Sequence, residues 1–201
     1  MKRLNLENLN TTENMDEFWK GTLLRQQNCN RNLYVYEISD LKNIKDNCSV
    51  LEIGCGDGYY LKYINDHFNN VKTFGVDISN EAIKYAKLHY NLNCSVINPF
   101  EDFTEEKFDI VVMHQVIEHF EDPERIIDYS MKFLKNDGQL TISSVTDNFS
   151  YERFHIFCFE ENDFSAILKA RFEKVNIKLL DVANRPQSII LGVANIKRST
   201  K

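Results

Sequence analysis

Val50-Leu51-Glu52-Ile53-Gly54-Cys55-Gly56-Asp57-Gly58-Tyr59-Tyr60-Leu61 is the stretch that decides how this chain folds. An apolar run meets three closely spaced glycines and then enters a segment whose Tyr60, Leu61, Ile64 and Phe68 share one helix face. Strand, glycine loop, helix is the order of a nucleotide-type site, because residues without a Cβ let the chain turn tightly and let a ligand reach the backbone. A second element, Phe74-Gly75-Val76-Asp77, closes a second predicted strand. Asp77 falls about 20 residues beyond the loop, where a carboxylate can accept hydrogen bonds from both ribose hydroxyls. It can also serve as the acid at the start of the next helix. The two elements together point to an adenosine-containing ligand at the carboxyl ends of the strands.

Charge separates two such ligands. A pyrophosphate seeks the G-x-G-x-x-G spacing and a positive helix N-terminus. Here the third glycine comes one residue early, Asp57 stands at the helix start and Glu52 adds a second negative charge nearby. Carboxylates there repel pyrophosphate and suit a sulfonium ligand carrying an ammonium group, so S-adenosylmethionine ranks above NAD.

Short apolar runs at 49–53, 73–76, 95–97, 109–113, 140–144, 175–180 and 188–193 predict seven strands. Helices are expected from Ser79-Asn80, from Asp122-Pro123 to a stop at Asp137-Gly138, and from about Glu160 to Arg171. The alternation predicts an α/β, Rossmann-like three-layer sandwich with a mainly parallel seven-stranded sheet. The last two strands follow one another with no helix between them, so they are expected to pair antiparallel at an edge. Residues 1–12 read as a frayed polar segment. Met15, Phe18, Trp19, Leu23, Tyr34, Ile38 and Leu41 predict one or two helices before the first strand. The chain therefore divides into an N-terminal helical extension over the active site, 1–47, and a cofactor-binding domain, 48–201.

With 43% apolar and 27% charged residues the composition is that of an ordinary soluble domain, and no apolar run is long enough for a membrane helix or a signal core. Five scattered cysteines, none in a C-x-x-C pair, fit free thiols in the cytoplasm. A formal charge of −6 argues against nucleic acid as a partner. Oligomeric state has no signal in the sequence.

Glu52-Ile53-Gly54-Cys55-Gly56-Asp57-Gly58 resembles the E-x-G-x-G-x-G signature of class I S-adenosylmethionine-dependent methyltransferases. Phe74-Gly75-Val76-Asp77-Ile78-Ser79, Phe108-Asp109-Ile110-Val111-Val112 and Leu134-Lys135-Asn136-Asp137-Gly138-Gln139-Leu140 resemble their later motifs, in order. The resemblance implies that Gly54, Cys55 and Gly56 meet the methionine portion through backbone, that Asp77 and Ile78 hold ribose and adenine, and that Phe100 faces the adenine edge. Glu52, Gly58 and His114 complete the expected cofactor set.

His114-Gln115-Val116-Ile117-Glu118-His119 resembles the E-x-x-E-H segment of ubiquinone-biosynthesis O-methyltransferases and of small-RNA 3′-end 2′-O-methyltransferases. In that branch acids and histidine can hold a divalent metal; here Gln115 replaces the first acid, which weakens the metal reading. Glu118, His119 and His155 are the candidate catalytic residues, with Tyr151 and Phe154 as acceptor-side aromatics. His67 and His89 are expected on solvated helix faces. The resemblance implies O-methylation of a small hydroxylated metabolite or sugar. RNA 2′-O-methylation and a non-catalytic S-adenosylmethionine-binding protein are the alternatives.

Overall fold

The computed structural model describes residues 1–5, 7–26, 41–147, 153–182 and 185–196. The expectations placed on Tyr34, Ile38 and Tyr151 lie outside the described residues. Strand β1 (Lys2–Arg3) and helix α1 (Thr12–Gln26) come first. Then follow β2 (Ser49–Ile53), α2 (Tyr59–His67), β3 (Lys72–Asp77), α3 (Asn80–Tyr90) and β4 (Cys94–Val96). The second half holds β5 (Phe108–His114), α4 (Pro123–Met131), β6 (Leu134–Val145), β7 (Phe157–Cys158), α5 (Glu161–Lys169), β8 (Phe172–Val182) and β9 (Arg185–Ile196).

Seven strands form one sheet in the order β4-β3-β2-β5-β6-β9-β8. β2 to β6 pair parallel, and β9 runs antiparallel to both neighbours. The expected mainly parallel seven-stranded sheet with an antiparallel last strand is therefore present. The last strand, however, is interior; β8 is the edge, because the β8–β9 hairpin folds back so that β9 takes β6 as its second partner. Order reverses between β2 and β5, which opens a crevice at their carboxyl ends.

Alternation along β2 divides the core between the two faces. Leu51 and Ile53 pack with Ile126, Ile127, Phe164 and Leu168 of α4 and α5. Val50 packs with Leu61 and Ile64 of α2 and Ile83 and Ala86 of α3. Helix starts follow the sequence cues: the Ser79 hydroxyl accepts from the Ala82 N–H, and Asp122 accepts from the Arg125 N–H ahead of Pro123.

Two local expectations change. α4 ends at Met131, well before Asp137-Gly138, and Leu134 already pairs with Phe108 in the sheet. The register shift between Phe108 and Ile110 leaves Lys135–Gly138 as a bulge in β6, so Gly138 marks a strand irregularity, not a helix stop. The N-terminus is ordered: Lys2 pairs with Cys158 and Arg3 with Phe157, and the Arg3 guanidinium grips Glu121 at 2.7 and 3.0 Å. Polarity had hidden this, because the strand is held by backbone and ion-pair contacts with no apolar pattern.

At the far end of the sheet, one Asp109 oxygen accepts from the Ser49 N–H (2.8 Å), the Ser49 hydroxyl (2.7 Å) and the Lys135 ammonium (2.8 Å). Partial burial works against the charge, but these donors outweigh it and hold the carboxyl below its usual range. A depressed carboxyl contributes stability above its unfolded pKa, near 4, and loses it as pH falls through the folded value. Asp109→Asn should destabilise by about 1 kcal/mol at pH 7, a value set low by solvent screening. Denaturant melts should show the difference from wild type shrinking below about pH 4; a constant difference would exclude the ionic contribution.

Candidate functional site

The glycine loop is built from the ends of β2 and β3. The N–H groups of Gly54 and Cys55 both donate to the Val76 carbonyl (2.8 and 3.0 Å), that of Gly58 donates to Cys55 O (2.9 Å), and that of Gly56 donates to Asp77 Oδ2 (2.8 Å). The loop spends these donors on itself. Pyrophosphate, which needs free N–H groups, is poorly served, whereas an ammonium cation needs none of them. Asp77 also accepts from the Ser79 N–H at 2.8 Å, so it does start the next helix as well as facing the cavity. Burial raises its carboxyl above the usual range, although the bonds from Ser79, Gly56 and Ile78 oppose this.

A cavity of about 680 Å³ opens above these strand ends. Of the expected cofactor residues, Glu52, Gly54, Cys55, Gly56, Asp77, Ile78, Phe100 and His114 line it. Gly58 does not. A Cβ there would stand 2.4 Å from Leu92 Cδ1 and 3.0 Å from Ala86 Cβ, so this glycine exists to let α2 approach α3. The Cys55 thiol points into the core, where burial lifts its pKa well above the usual value, leaving only its backbone for a ligand.

His114 is buried edge-on against Tyr60, ring centroids 4.6 Å apart. Burial drops its pKa to about 3, so it is neutral, and its 3.9 Å separation from Glu52 Oε1 is neither an ion pair nor a hydrogen bond. Phe100 sits at φ 70° beneath the Arg125 guanidinium, 4.1 Å from its ring centroid.

Helix α1 packs over the glycine loop. A Cβ on Gly56 would meet Trp19 Cζ2 at 2.4 Å, so the indole lies directly on the glycine loop, and such a ring face can meet a cationic ligand. Asp16 fixes the helix: it accepts from the Ser79 hydroxyl (2.6 Å), the Asn80 amide (3.2 Å) and the Glu81 N–H (3.1 Å). Those donors start α3, immediately after Asp77. Neither Asp16 nor Trp19 was among the expected site residues. An aspartate inside a helix carries no local sign of a partner more than sixty residues away.

On the other side, His119 and His155 line the cavity with ring centroids 5.1 Å apart. Burial lowers both pKa values, that of His155 to about 3, with His119 a further cause there. His119 Nδ1 lies 3.0 Å from the Phe154 carbonyl, which can only accept, so Nδ1 carries the proton and the lone pair is on Nε2. Glu118 is fully buried behind them and absent from the cavity wall. The Ser144 hydroxyl donates to it at 2.8 Å, and burial raises its pKa to about 8. Donor atoms of Glu118, His119 and His155 lie within 4.8 Å of one another, and Glu118 Oε1 and His155 Nδ1 have no hydrogen-bond partner among the described residues. Gln115 lines the cavity at φ 56°, its backbone N–H on the Ser143 carbonyl at 3.0 Å. Phe154 is on the cavity wall, and His67 and His89 are exposed on their helices, as expected.

The model of a methyltransferase domain family matches residues 15–181. The mitochondrial ubiquinone biosynthesis O-methyltransferase of Candida albicans is 32% identical over 111 residues, 50% of this chain and 33% of that protein. The Coxiella burnetii ubiquinone biosynthesis O-methyltransferase is 33% identical over 109 residues, 50% of this chain and 44% of that protein. The chain thus spans less than half the length of these two relatives. Among solved structures, the N-methyltransferase NodS of Bradyrhizobium japonicum, in complex with S-adenosyl-L-homocysteine, superposes with a TM-score of 0.67 at 19% identity, covering 90% of this chain and 98% of that one. The plantazolicin methyltransferase BpumL gives a TM-score of 0.69 at 18% identity, covering 92% and 91%. These two likenesses bear on the fold.

Asp77→Ala should weaken S-adenosylhomocysteine binding roughly 10- to 100-fold, the loss of one charge-assisted hydrogen bond of about 1.5–3 kcal/mol. Calorimetry reads this directly. Trp19 is the sole tryptophan of the chain, so its emission should change as the ligand saturates. Emission indifferent to bound ligand would take α1 out of the cofactor site.

Proposed function

The chain belongs to the class I S-adenosylmethionine-dependent methyltransferases, and we propose that it transfers the sulfonium methyl group to a hydroxyl oxygen of a small metabolite or sugar. The observation that carries this reading is the neutral His119–His155 pair on the wall of the cavity that also holds Asp77 and the glycine loop. Aromatic walls from Phe18, Phe120 and Phe154 favour a small organic acceptor over a polymer, and the net charge of −6 weighs against RNA. The names of the two ubiquinone O-methyltransferases support oxygen as the acceptor atom.

In this mechanism the loop and Asp77 hold the cofactor, and the acceptor oxygen attacks the methyl carbon as the carbon–sulfur bond breaks. In-line alignment supplies much of the acceleration. The hydroxyl proton passes to His119 Nε2, and the Nδ1–H bond to the Phe154 carbonyl supports the positive charge that forms. His155, with a pKa of about 3, is too weak a base near pH 7 and serves as a neutral hydrogen-bonding group.

Glu118, His119 and His155 also form a one-carboxylate, two-imidazole donor set suited to a divalent transition ion. When bound, such an ion lowers the pKa of an acceptor hydroxyl. Glu118 holds its proton to about pH 8 without one, so binding would release that proton. We read residues 1–47 as the cover of the site and 48–201 as the catalytic domain, supported by Asn8, Asn10, Met15, Phe18, Trp19 and Thr22 on the cavity wall. Among the described residues no helix is long and apolar enough to cross a membrane. The free thiols of Cys48, Cys55, Cys94 and Cys158 support a cytoplasmic setting.

Methyl-labelled S-adenosylmethionine incubated with the protein and an extract of its source cells should place label in small molecules or glycans. His119→Gln should lower the rate about 100-fold, with S-adenosylhomocysteine affinity within about threefold of wild type. Loss of label on chelation would assign Glu118, His119 and His155 to a metal; label that survives leaves His119 as the proton acceptor. Label confined to RNA, or no label in any fraction, would overturn the reading.

A further inference from the structure

The polar N-terminal segment runs between the two loops that carry the acceptor-side histidines. The Leu4 N–H donates to the Ile156 carbonyl at 2.7 Å, and the Ile156 N–H to the Glu118 carbonyl at 2.7 Å. The Asn5 side-chain amide donates to the carbonyls of His155 (2.6 Å) and Arg153 (3.2 Å). Farther along, Asn10 Nδ2 lies 3.1 Å from the His119 carbonyl, 3.0 Å from the Phe154 carbonyl and 3.0 Å from Asn8 Oδ1. The Phe154 carbonyl also accepts the hydrogen bond from His119 Nδ1–H.

We propose that Asn10 is a positioning residue for methyl transfer: its amide clamps the His119 and Phe154 carbonyls together and so fixes the His119 tautomer that presents Nε2 to the acceptor. The inference rests on the reading of His119 as the acceptor-side base and adds the residue that orients it.

The amide has one workable orientation. Three oxygens converge on Nδ2, and a flip would set Oδ1 against all three. Among the described residues Asn10 Oδ1 is buried without a hydrogen-bond partner, so the residue accepts an unsatisfied atom to keep its donor on the carbonyls. Without the clamp, the Phe154 carbonyl is free to swing off Nδ1, which leaves the ring its second backbone partner, Gln115, and lets the imidazole take its proton on Nε2 instead. That tautomer offers the acceptor hydroxyl no lone pair. Asn10 also sits two residues before α1, the helix that Asp16 and Trp19 anchor over the cofactor loop. One short segment thus reaches both halves of the cavity, and the acceptor-side base is set when the cofactor cover is in place.

The test is imidazole ¹⁵N chemical shifts of histidine-labelled protein saturated with S-adenosylhomocysteine, His119 being assigned by its loss in His119→Gln. Wild type should show protonated Nδ1 and unprotonated Nε2 at pH 7.5. Asn10→Asp keeps the shape but removes the donor, and Asn10→Ala removes the group, which keeps the test decisive if the new carboxylate prevents folding. In either folded variant the two His119 shifts should move toward a tautomer average, with ligand affinity within about threefold of wild type. Asn5→Ala, which frees the His155 turn, should leave the His119 pattern in place.

In the labelled-extract assay Asn10→Ala should lower the rate about tenfold at saturating S-adenosylmethionine without moving the KM for that cofactor. An unchanged His119 pattern in both variants overturns the proposal, as does a changed pattern with an unchanged rate. Failure of the extract assay with wild-type protein would count against the proposed acceptor chemistry, while the tautomer result would still judge the role of Asn10.

Discussion

The site hangs on one carboxylate. Asp77 ends β3, accepts from the Gly56 N–H at 2.8 Å and from the Ser79 N–H at 2.8 Å, and so joins the glycine loop to the first turn of α3. Around it the loop folds its own N–H groups inward, and the surface left to a ligand is poor in free donors and bordered by acids. That surface is wrong for a phosphate and right for a cation, which is the electrostatic basis for a sulfonium cofactor. Asp16 extends the same chain of contacts, because it bonds the hydroxyl of the very residue whose N–H Asp77 holds. Cofactor loop, helix start and covering helix are one connected network.

The acceptor side is built on the opposite principle. Glu118, His119 and His155 are taken out of water, and burial keeps each of them uncharged around pH 7. A neutral wall suits transfer from a cation: as the methyl group leaves, positive charge departs the sulfur and reappears with the acceptor proton. On the proposed reading, the group that receives that proton is the imidazole whose far nitrogen bonds the Phe154 carbonyl.

Much of the architecture was legible because it rests on local patterns. The glycine run, the acid after Phe74-Gly75-Val76, the cap at Ser79 and the Asp122-Pro123 start are each short-range requirements of backbone geometry, and each stands where the spacing put it. The bulge in β6 was not legible, since Gly138 reads equally as a helix stop until strand pairing with Phe108 decides the register. Gly58 misled for a related reason. A glycine in a ligand loop and a glycine at a helix crossing look the same in sequence, and only Leu92 and Ala86 against its Cα tell them apart.

The sequence by itself determined the sheet, the glycine loop and the acid that follows it in the next strand. These depend on periodicity, on residues without a Cβ and on charge, all of which act over a few neighbours. Only the tertiary structure decided that Asn8 and Asn10 line the cavity, that Trp19 lies on Gly56, and that Glu118 is behind the wall instead of on it. Those facts join groups separated by tens to more than a hundred residues through single hydrogen bonds and packed rings. Contacts of that kind leave no spacing to read, because what brings the partners together is the fold of everything between them.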